Sequence, residues 1–254
     1  MSLVSQDADR RLVGAIRLFG YLAGWLLLFT VGMAALWAPG LPDCDDFVTA
    51  QAAPDNCQTS PLAAKLLFFH VPVAFGAYAM FLVLAYSSWR YLARADRAWD
   101  EAAGAAAEVG VLFSALTLVS GSLWGHLEWG EQFGYWRNSD IKLVLTLVMF
   151  LVYAGYLVLR KQVSEPRRRG RVAAVYGLLG FVTVPLSYAA QRIWQAQSIH
   201  PTIFRAGDPS AGIVTEGWSE TFLVGVFAFL ALAAFFFAAR LRLAIHDAER
   251  EVEE

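Results

Sequence analysis

Six long apolar stretches, separated by short polar segments, run along the chain. Inside a stretch such as residues 24–31, G-W-L-L-L-F-T-V, polar side chains do not recur at the 3.6-residue period of a helix with one face in water. Each stretch is about 20 residues long, the length at which an α-helix crosses the hydrocarbon core of a bilayer. The pattern therefore predicts an all-α membrane protein with one bundle of six transmembrane helices. The predicted spans are 18–38, 62–86, 104–123, 141–159, 172–190 and 222–239.

The composition supports a single integral membrane domain over residues 1–254. With 57% hydrophobic and 17% charged residues, the chain carries more apolar surface than one water-soluble core can bury. The sequence has no P-loop or glycine-rich dinucleotide pattern, so it predicts no phosphate chemistry. A net charge of −2 gives no reason to expect a nucleic-acid partner. The partner expected along the spans is membrane lipid.

The positions of the basic residues predict how the spans are oriented. Cytoplasmic loops carry an excess of Lys and Arg, and fifteen of the 20 basic residues fall on one side of the predicted membrane. We therefore expect a multi-pass protein of the cytoplasmic (inner) membrane with both termini in the cytoplasm. The outer connections would be residues 39–61, 124–140 and 191–221. Five basic residues remain on the outer side: Lys65, Arg137, Lys142, Arg192 and Arg205.

Both cysteines lie in the first outer connection. Cys44 and Cys57 are surrounded by Pro, Asp and Asn residues, which are typical of an exposed irregular loop. The extracytoplasmic side is oxidising, which favours a disulfide between them. A thioether haem attachment or a redox pair is the alternative, but the spacing is neither C-x-x-C nor C-x-x-C-H. The interpretation is a disulfide that staples this loop.

The second outer connection is unusually rich in aromatic residues. Glycines are interleaved with them, so the backbone can come close to a ligand, and the segment would suit stacking on a planar molecule. An aromatic belt at the membrane interface is the alternative, and it explains one or two tryptophans more easily than three. The aromatic residues are Trp124, Trp129, Phe133, Tyr135 and Trp136, and the glycines are Gly121, Gly125, Gly130 and Gly134.

Three of the four histidines fall on the outer side. His70 lies about eight residues into the second span, at a depth where an ionisable group usually has a function, although a neutral imidazole bonded to a neighbouring helix is the structural alternative. Pro72 frees the carbonyl of Phe68 and is expected to turn His70 towards the bundle. His200 lies on the longest outer loop, and His126, in the Trp-rich segment, is interpreted as a polar rim residue. Two imidazoles beside an aromatic platform favour haem.

Five blocks carry a family resemblance: K-L-L-F-F-H-V-P-V-A-F, G-S-L-W-G-H-L-E-W-G, D-I-K-L-V-L-T-L-V-M-F-L-V-Y-A-G-Y-L-V-L-R, G-F-V-T-V-P-L-S-Y and I-H-P-T. Together they resemble the CcmC family, the haem-handling membrane proteins of the system I cytochrome c maturation pathway. The resemblance implies that His70 and His200 are the axial ligands of a haem iron. It also implies that residues 124–140 form the family's extracytoplasmic WWD-type loop, in which Ser139 here replaces the last tryptophan. The haem-binding residues implied are His70, His200, Trp124, Gly125, Trp129, Gly130, Tyr135, Trp136 and Asp140.

By the same resemblance the chain would handle haem without acting as an enzyme. It would hold haem b transiently and without a covalent bond, and present it to the haem chaperone CcmE during c-type cytochrome biogenesis. Further partners would be the ABC transporter subunits CcmA and CcmB and the small CcmD, with energy from ATP hydrolysis. The candidates for contact with the haem propionates are Arg137, Lys142, Arg192 and Arg205.

Two other functions remain as alternatives. A b-type membrane cytochrome for electron transfer also uses paired histidines, but these normally face each other from buried helices, whereas His200 is predicted on an aqueous loop. A small-solute permease would show paired broken helices or midplane charges, and only His70 and Glu108 come close to that pattern. An absorption spectrum would separate a haem protein from a permease.

Overall fold

The computed structural model describes residues 6–38, 61–129, 140–194, 200 and 217–253. The regular elements in these ranges are all helical. They are α1 (Gln6–Leu36), α2 (Pro61–Ala64), α3 (Leu67–Arg94), α4 (Arg97–Trp129), α5 (Ile141–Gln162), α6 (Pro166–Gly180), α7 (Thr183–Ile193) and α8 (Trp218–Glu253).

Six helical segments are long and apolar enough to cross a membrane, which confirms the predicted fold class and makes the chain a multi-pass membrane protein. Five of them are single helices. The remaining segment, Pro166–Ile193, which is the fifth along the chain, consists of α6 followed by α7. The helix breaks here because Pro185 has no N–H to donate to the carbonyl of Phe181. The hydroxyl of Thr183 donates to the carbonyl of Gly180 at 2.7 Å and so satisfies one of the backbone groups at the break.

The helix α3 lies at the centre of the bundle and packs against α4, α6 and α8. Its buried face contributes Phe81 and Leu84 to the main hydrophobic core, where the Phe81 ring stacks on Tyr153 of α5 with centroids 3.8 Å apart. By contrast, α1 packs against α8 and exposes most of its apolar surface. An apolar surface of this kind is expected to face lipid.

Pro72 fixes the packing of α3 two residues after its buried histidine. Because Pro72 lacks an N–H, the carbonyl of Phe68 has no donor within the helix. That carbonyl faces α8 at Gly225, where a Cβ atom would lie only 2.8 Å from the carbonyl oxygen and 3.3 Å from Pro72 Cγ. The absence of a side chain at Gly225 therefore lets the two backbones meet. This close contact holds the first half of α3 against the bundle.

Candidate functional site

His70 lies on α3 and is buried, with 8% of its surface exposed. Its imidazole fills the space beside Gly121 of α4, where a Cβ atom would lie 2.6 Å from His70 Cε1. A side chain at position 121 would therefore displace the ring. The prediction that His70 faces the bundle interior agrees with this burial, and Gly121 is the residue that makes room for it.

Ser120, next to Gly121, orients the His70 imidazole. The Ser120 hydroxyl lies 2.7 Å from the Leu116 carbonyl, to which it donates. With its proton given to Leu116, the Ser120 oxygen can accept in the 3.0 Å bond with His70 Nδ1, and we assign the imidazole proton to Nδ1 on this basis. In a neutral imidazole the other nitrogen, Nε2, then keeps its lone pair. A metal-ligating histidine is commonly held in this way by a hydrogen bond to its second nitrogen.

Three aromatic rings meet at this end of the bundle. The ring centroids of His70 and His200 are 6.4 Å apart. Trp124 stacks on His70 at 6.3 Å and meets His200 edge-on at 6.4 Å. Because Trp124 is nearly equidistant from both imidazoles, its indole lies beside the space between them. The structure thus brings together residues that are 130 positions apart in the sequence.

Asp140 joins this cluster from the start of α5. Its carboxylate caps the helix by accepting from the backbone N–H groups of Lys142 at 2.9 Å and Leu143 at 3.2 Å. One carboxylate oxygen also lies 3.7 Å from His200 Nδ1, and only 1% of the Asp140 side chain is exposed. Asp140 therefore places a negative charge beside the second imidazole while it fixes the first turn of α5.

Lys142 brings a positive charge to the same place. Its ammonium donates to the carbonyl of Ser187 at 2.7 Å and to the hydroxyl of Tyr78 at 3.4 Å. The ammonium also lies 5.9 Å from the ring centroids of Tyr78 and Tyr188. No carboxylate lies within 4 Å of it among the described residues. An ammonium has three donors, so Lys142 can give a further hydrogen bond to a ligand.

A cleft of about 100 Å³ opens between these groups. His70, His200 and Lys142 line it, together with apolar side chains of α3 and α4. Pockets that enclose drug-sized ligands have volumes of roughly 300–1,000 Å³. The cleft between the described residues is therefore smaller than a pocket that encloses a whole ligand of that size.

Of the other predicted site residues, the structure describes only some. Trp124 and Gly125 are buried and belong to the last turns of α4, because this helix continues to Trp129 instead of ending before the Trp-rich segment. His126 is half-buried and does not line the cleft. The side chain of Trp129 lies outside the described residues, as do Gly130, Phe133, Gly134, Tyr135, Trp136, Arg137 and Arg205 and the predicted disulfide between Cys44 and Cys57.

Two contributors to the site were missed in the sequence. Ser120 and Tyr78 are side chains of ordinary type inside apolar helices, and neither has a local motif. Only the pairing of Ser120 with a histidine 50 residues away gives it a role. The signal that could have found it is helical spacing, since Ser120 and Trp124 are four residues apart and share one face of α4.

Comparison with known proteins gives a consistent result. Residues 15–254 match the family model described as heme exporter protein C. The chain is similar to heme exporter protein C of Bradyrhizobium diazoefficiens, with 34% identity over 62% of this chain and 58% of that protein. It is 26% identical to heme exporter protein C of Escherichia coli K12 over 70% of this chain and 69% of that protein. It is also 26% identical to a putative cytochrome c biosynthesis ccmC-like mitochondrial protein of Arabidopsis thaliana, over 63% and 61% of the two chains. The match to the first of these relatives spans less than two thirds of its length.

Proposed function

The chain belongs to the heme exporter protein C family, and we propose that it binds haem between His70 and His200 and presents it for cytochrome c biogenesis. The family membership makes haem the expected cargo. The arrangement of the two imidazoles at one end of the bundle is the observation that carries the proposal to particular residues.

The spacing of the imidazoles suits one metal ion between them. Two imidazole rings on opposite sides of an ion, each with a metal–nitrogen bond of about 2.0 Å, have centroids roughly 6 Å apart. The centroids of His70 and His200 are 6.4 Å apart. The bond from His70 Nδ1 to Ser120 leaves Nε2 as the ligating nitrogen. The residues present therefore fit a haem iron with two axial histidines.

The groups around the imidazoles would hold the porphyrin. Trp124 is nearly equidistant from the two rings and so lies close to the plane that a porphyrin held by both would occupy, and its indole would have to swing aside to contact the porphyrin at its edge. Of the four basic residues considered for the propionates, Lys142 and Arg192 line the cleft. Lys142 is the better candidate because its ammonium donates only to neutral groups among the described residues. We therefore assign one propionate to Lys142.

The cleft between the described residues holds about 100 Å³, less than a whole porphyrin needs, which favours presentation of haem over its storage. With the iron held by both imidazoles, the porphyrin edge that points away from the cleft stays available to a second protein. We propose that this second protein is the haem chaperone CcmE, and that CcmA, CcmB and CcmD complete the assembly. On this proposal the cleft faces the outer side of the cytoplasmic membrane and both termini face the cytoplasm, as the basic residues predict.

The experiment that tests the proposal measures haem and membrane abundance together. His70→Ala and His200→Ala should each lower the haem that co-purifies with the full chain, or shift its absorption spectrum away from that of six-coordinate low-spin iron. Both variants should remain in the membrane, because the substitutions leave all six apolar spans intact. His126→Ala is the matched control, since His126 does not line the cleft, and it should keep the wild-type spectrum.

A second readout concerns delivery. The amount of haem bound covalently to co-expressed CcmE should fall in both ligand variants and stay normal in the His126 control. If both His70→Ala and His200→Ala retain the wild-type spectrum and haem content, the ligand assignment is wrong. If haem binds normally but the chaperone is never loaded, an electron-transfer cytochrome becomes the better interpretation.

A further inference from the structure

A charged groove lies at the end of the bundle opposite His70. Its floor is α4, and its walls are the last turns of α5 and the outward face of α8. The groove has a volume of about 640 Å³. It exists because α4 packs against both α5 and α8, whereas these two walls barely touch each other. Small residues, Gly104 and Ala105, form part of its floor.

Cations outnumber carboxylates on the groove lining. Five basic residues and three acidic residues contribute to it, several are joined in ion pairs, and Arg160 and Arg169 also pair with the buried Asp100. Arg169 lies 3.2 Å from Glu101, and Arg240 lies 2.9 Å from Glu108. Lys161 is exposed and makes no ion pair within the described part of the chain. The charged residues on the lining are Arg97, Arg160, Lys161, Arg169, Arg240, Glu101, Glu108 and Asp247.

The same face of α4 becomes apolar towards the middle of the membrane. Glu101, Ala105 and Glu108 lie in the groove, and Leu112 and Leu116 follow on the same helical stripe because they continue the spacing of three or four residues. Both leucines are exposed, each at 47%. Along one helix face, the chemistry therefore changes from charged to apolar.

The length of this stripe corresponds to one leaflet of a bilayer. From Glu101 to Leu116 it measures about 22 Å at 1.5 Å per residue. A bilayer is roughly 40–45 Å thick with its headgroups, so one leaflet has about the same dimension. The charged part also lies at the end of the bundle that the basic residues predict to be cytoplasmic, where anionic lipids attract clustered Lys and Arg.

From this combination we infer that the groove between α4, α5 and α8 is a binding site for an anionic phospholipid. The headgroup phosphate contacts Lys161 and the neighbouring arginines, and the acyl chains follow α4 along Leu112 and Leu116. The site is separate from the haem cleft and does not depend on the proposed function. A bound lipid of this kind would link the folded bundle to the composition of the surrounding leaflet.

Native mass spectrometry of the purified full chain tests this inference. The protein in mild detergent is titrated with dioleoyl phosphatidylglycerol and, separately, with dioleoyl phosphatidylcholine, which has the same acyl chains but no net charge. We expect one phosphatidylglycerol to bind more tightly than any phosphatidylcholine. Lys161→Gln should weaken that binding roughly fivefold, the effect of about one cation near an anionic lipid.

Arg168→Gln is the matched control. Arg168 is an exposed cation at the same end of the bundle, at the start of α6, and does not line the groove. It should leave the phosphatidylglycerol affinity unchanged, and thermal melting should show that both variants are folded. The lipid site is refuted if the two lipids bind equally or if Arg168→Gln weakens binding as much as Lys161→Gln. Displacement of phosphatidylglycerol by millimolar inorganic phosphate would identify a free-anion site instead and would also overturn the proposal.

Discussion

The two ends of this bundle treat buried charge in opposite ways. At the end away from His70 and His200, Asp100 forms ion pairs with Arg160 and Arg169, and Asp9 of α1 pairs with Arg242 of α8 at 2.7 Å. At the histidine end, the ammonium of Lys142 instead donates to a carbonyl and a phenol. At one end the buried charges are paired with one another, and the other end keeps a buried cation beside two imidazoles without an ion pair in the described residues.

This difference separates charges that serve the fold from charges that serve a ligand. Removing one member of a buried ion pair leaves the other charged and unsolvated, which costs far more than the net contribution of the pair. The Lys142 ammonium is bonded only to neutral groups among the described residues, so the fold already carries the cost of a buried cation without an ion pair there. Its remaining donor can hold an anion. We therefore expect substitutions at the first end to lower stability and substitutions at the second to lower haem binding.

The largest effect is expected at Asp100. Asp100→Leu would leave Arg160 and Arg169 with less negative charge in a buried setting, because Asp100 is 4% exposed. Breaking a buried pair in this way costs about 3–5 kcal/mol, so the melting temperature in detergent and the membrane abundance should both fall. Asp7→Leu, at an exposed carboxylate in the first turn of α1, is the control and should change little.

This prediction also bears on the comparison between the ends. His70→Ala should lower haem content with little change in melting temperature when both proteins are measured without haem. If His70→Ala destabilised the haem-free protein as much as Asp100→Leu, the histidine end would also be structural. The distinction between the two regions would then fail.

The next effect concerns the space that the His70 imidazole needs. In Gly121→Ala the new Cβ would lie 2.6 Å from His70 Cε1, which is closer than two such atoms can approach. The ring must move away from Ser120 Oγ, so haem content should fall towards that of His70→Ala. Gly24→Ala is the control, because a Cβ there meets no atom within 4 Å. Wild-type haem content and spectrum in Gly121→Ala would show that the ring position seen here is not needed for binding.

The sequence was sufficient for features that depend on local pattern. The six spans were predicted because apolar length is a property of each segment alone, and His70 stood out because an ionisable side chain in hydrocarbon is rare. The continuation of α4 through Trp124 and Gly125 was not predicted, since a cluster of glycines and aromatics resembles a loop when no packing is known. The break between α6 and α7 was missed as well, although Pro185 lies inside the predicted span.

The partners of the site residues could not be predicted, because they depend on distant packing. Ser120 differs from any other serine in an apolar helix only through its contact with His70. Lys142 was one of four candidate cations in the sequence, and it is distinguished by its bond to Ser187 on α7. Such choices become possible only when the helices are placed beside one another.

A smaller effect is expected when the cation of the cleft is removed. Lys142→Met keeps an unbranched side chain but loses the donor to a propionate. A charge-assisted hydrogen bond contributes about 1.5–3 kcal/mol, so haem affinity measured by titration should fall roughly tenfold or more with the low-spin spectrum preserved. Arg192→Gln, at an exposed cation on the rim of the same cleft, should have less effect. The reverse order would move the propionate contact to Arg192.

The smallest effect, and the most specific to the histidine end, is expected at Ser120. Ser120→Ala removes the acceptor that keeps the proton on His70 Nδ1, while the imidazole keeps its place beside Gly121. One neutral hydrogen bond contributes about 1 kcal/mol, so its loss should lower haem affinity roughly fivefold. The spectrum or reduction potential of the bound haem should shift as well, because a hydrogen bond to the second nitrogen tunes a ligating imidazole. Ser120→Thr, which retains a hydroxyl, should restore both properties, and Ser114→Ala, at a serine of the same helix that does not line the cleft, should change neither. If Ser120→Ala lowers stability without changing the haem spectrum, Ser120 only packs α4 against α3, and the tautomer of His70 is set by another group.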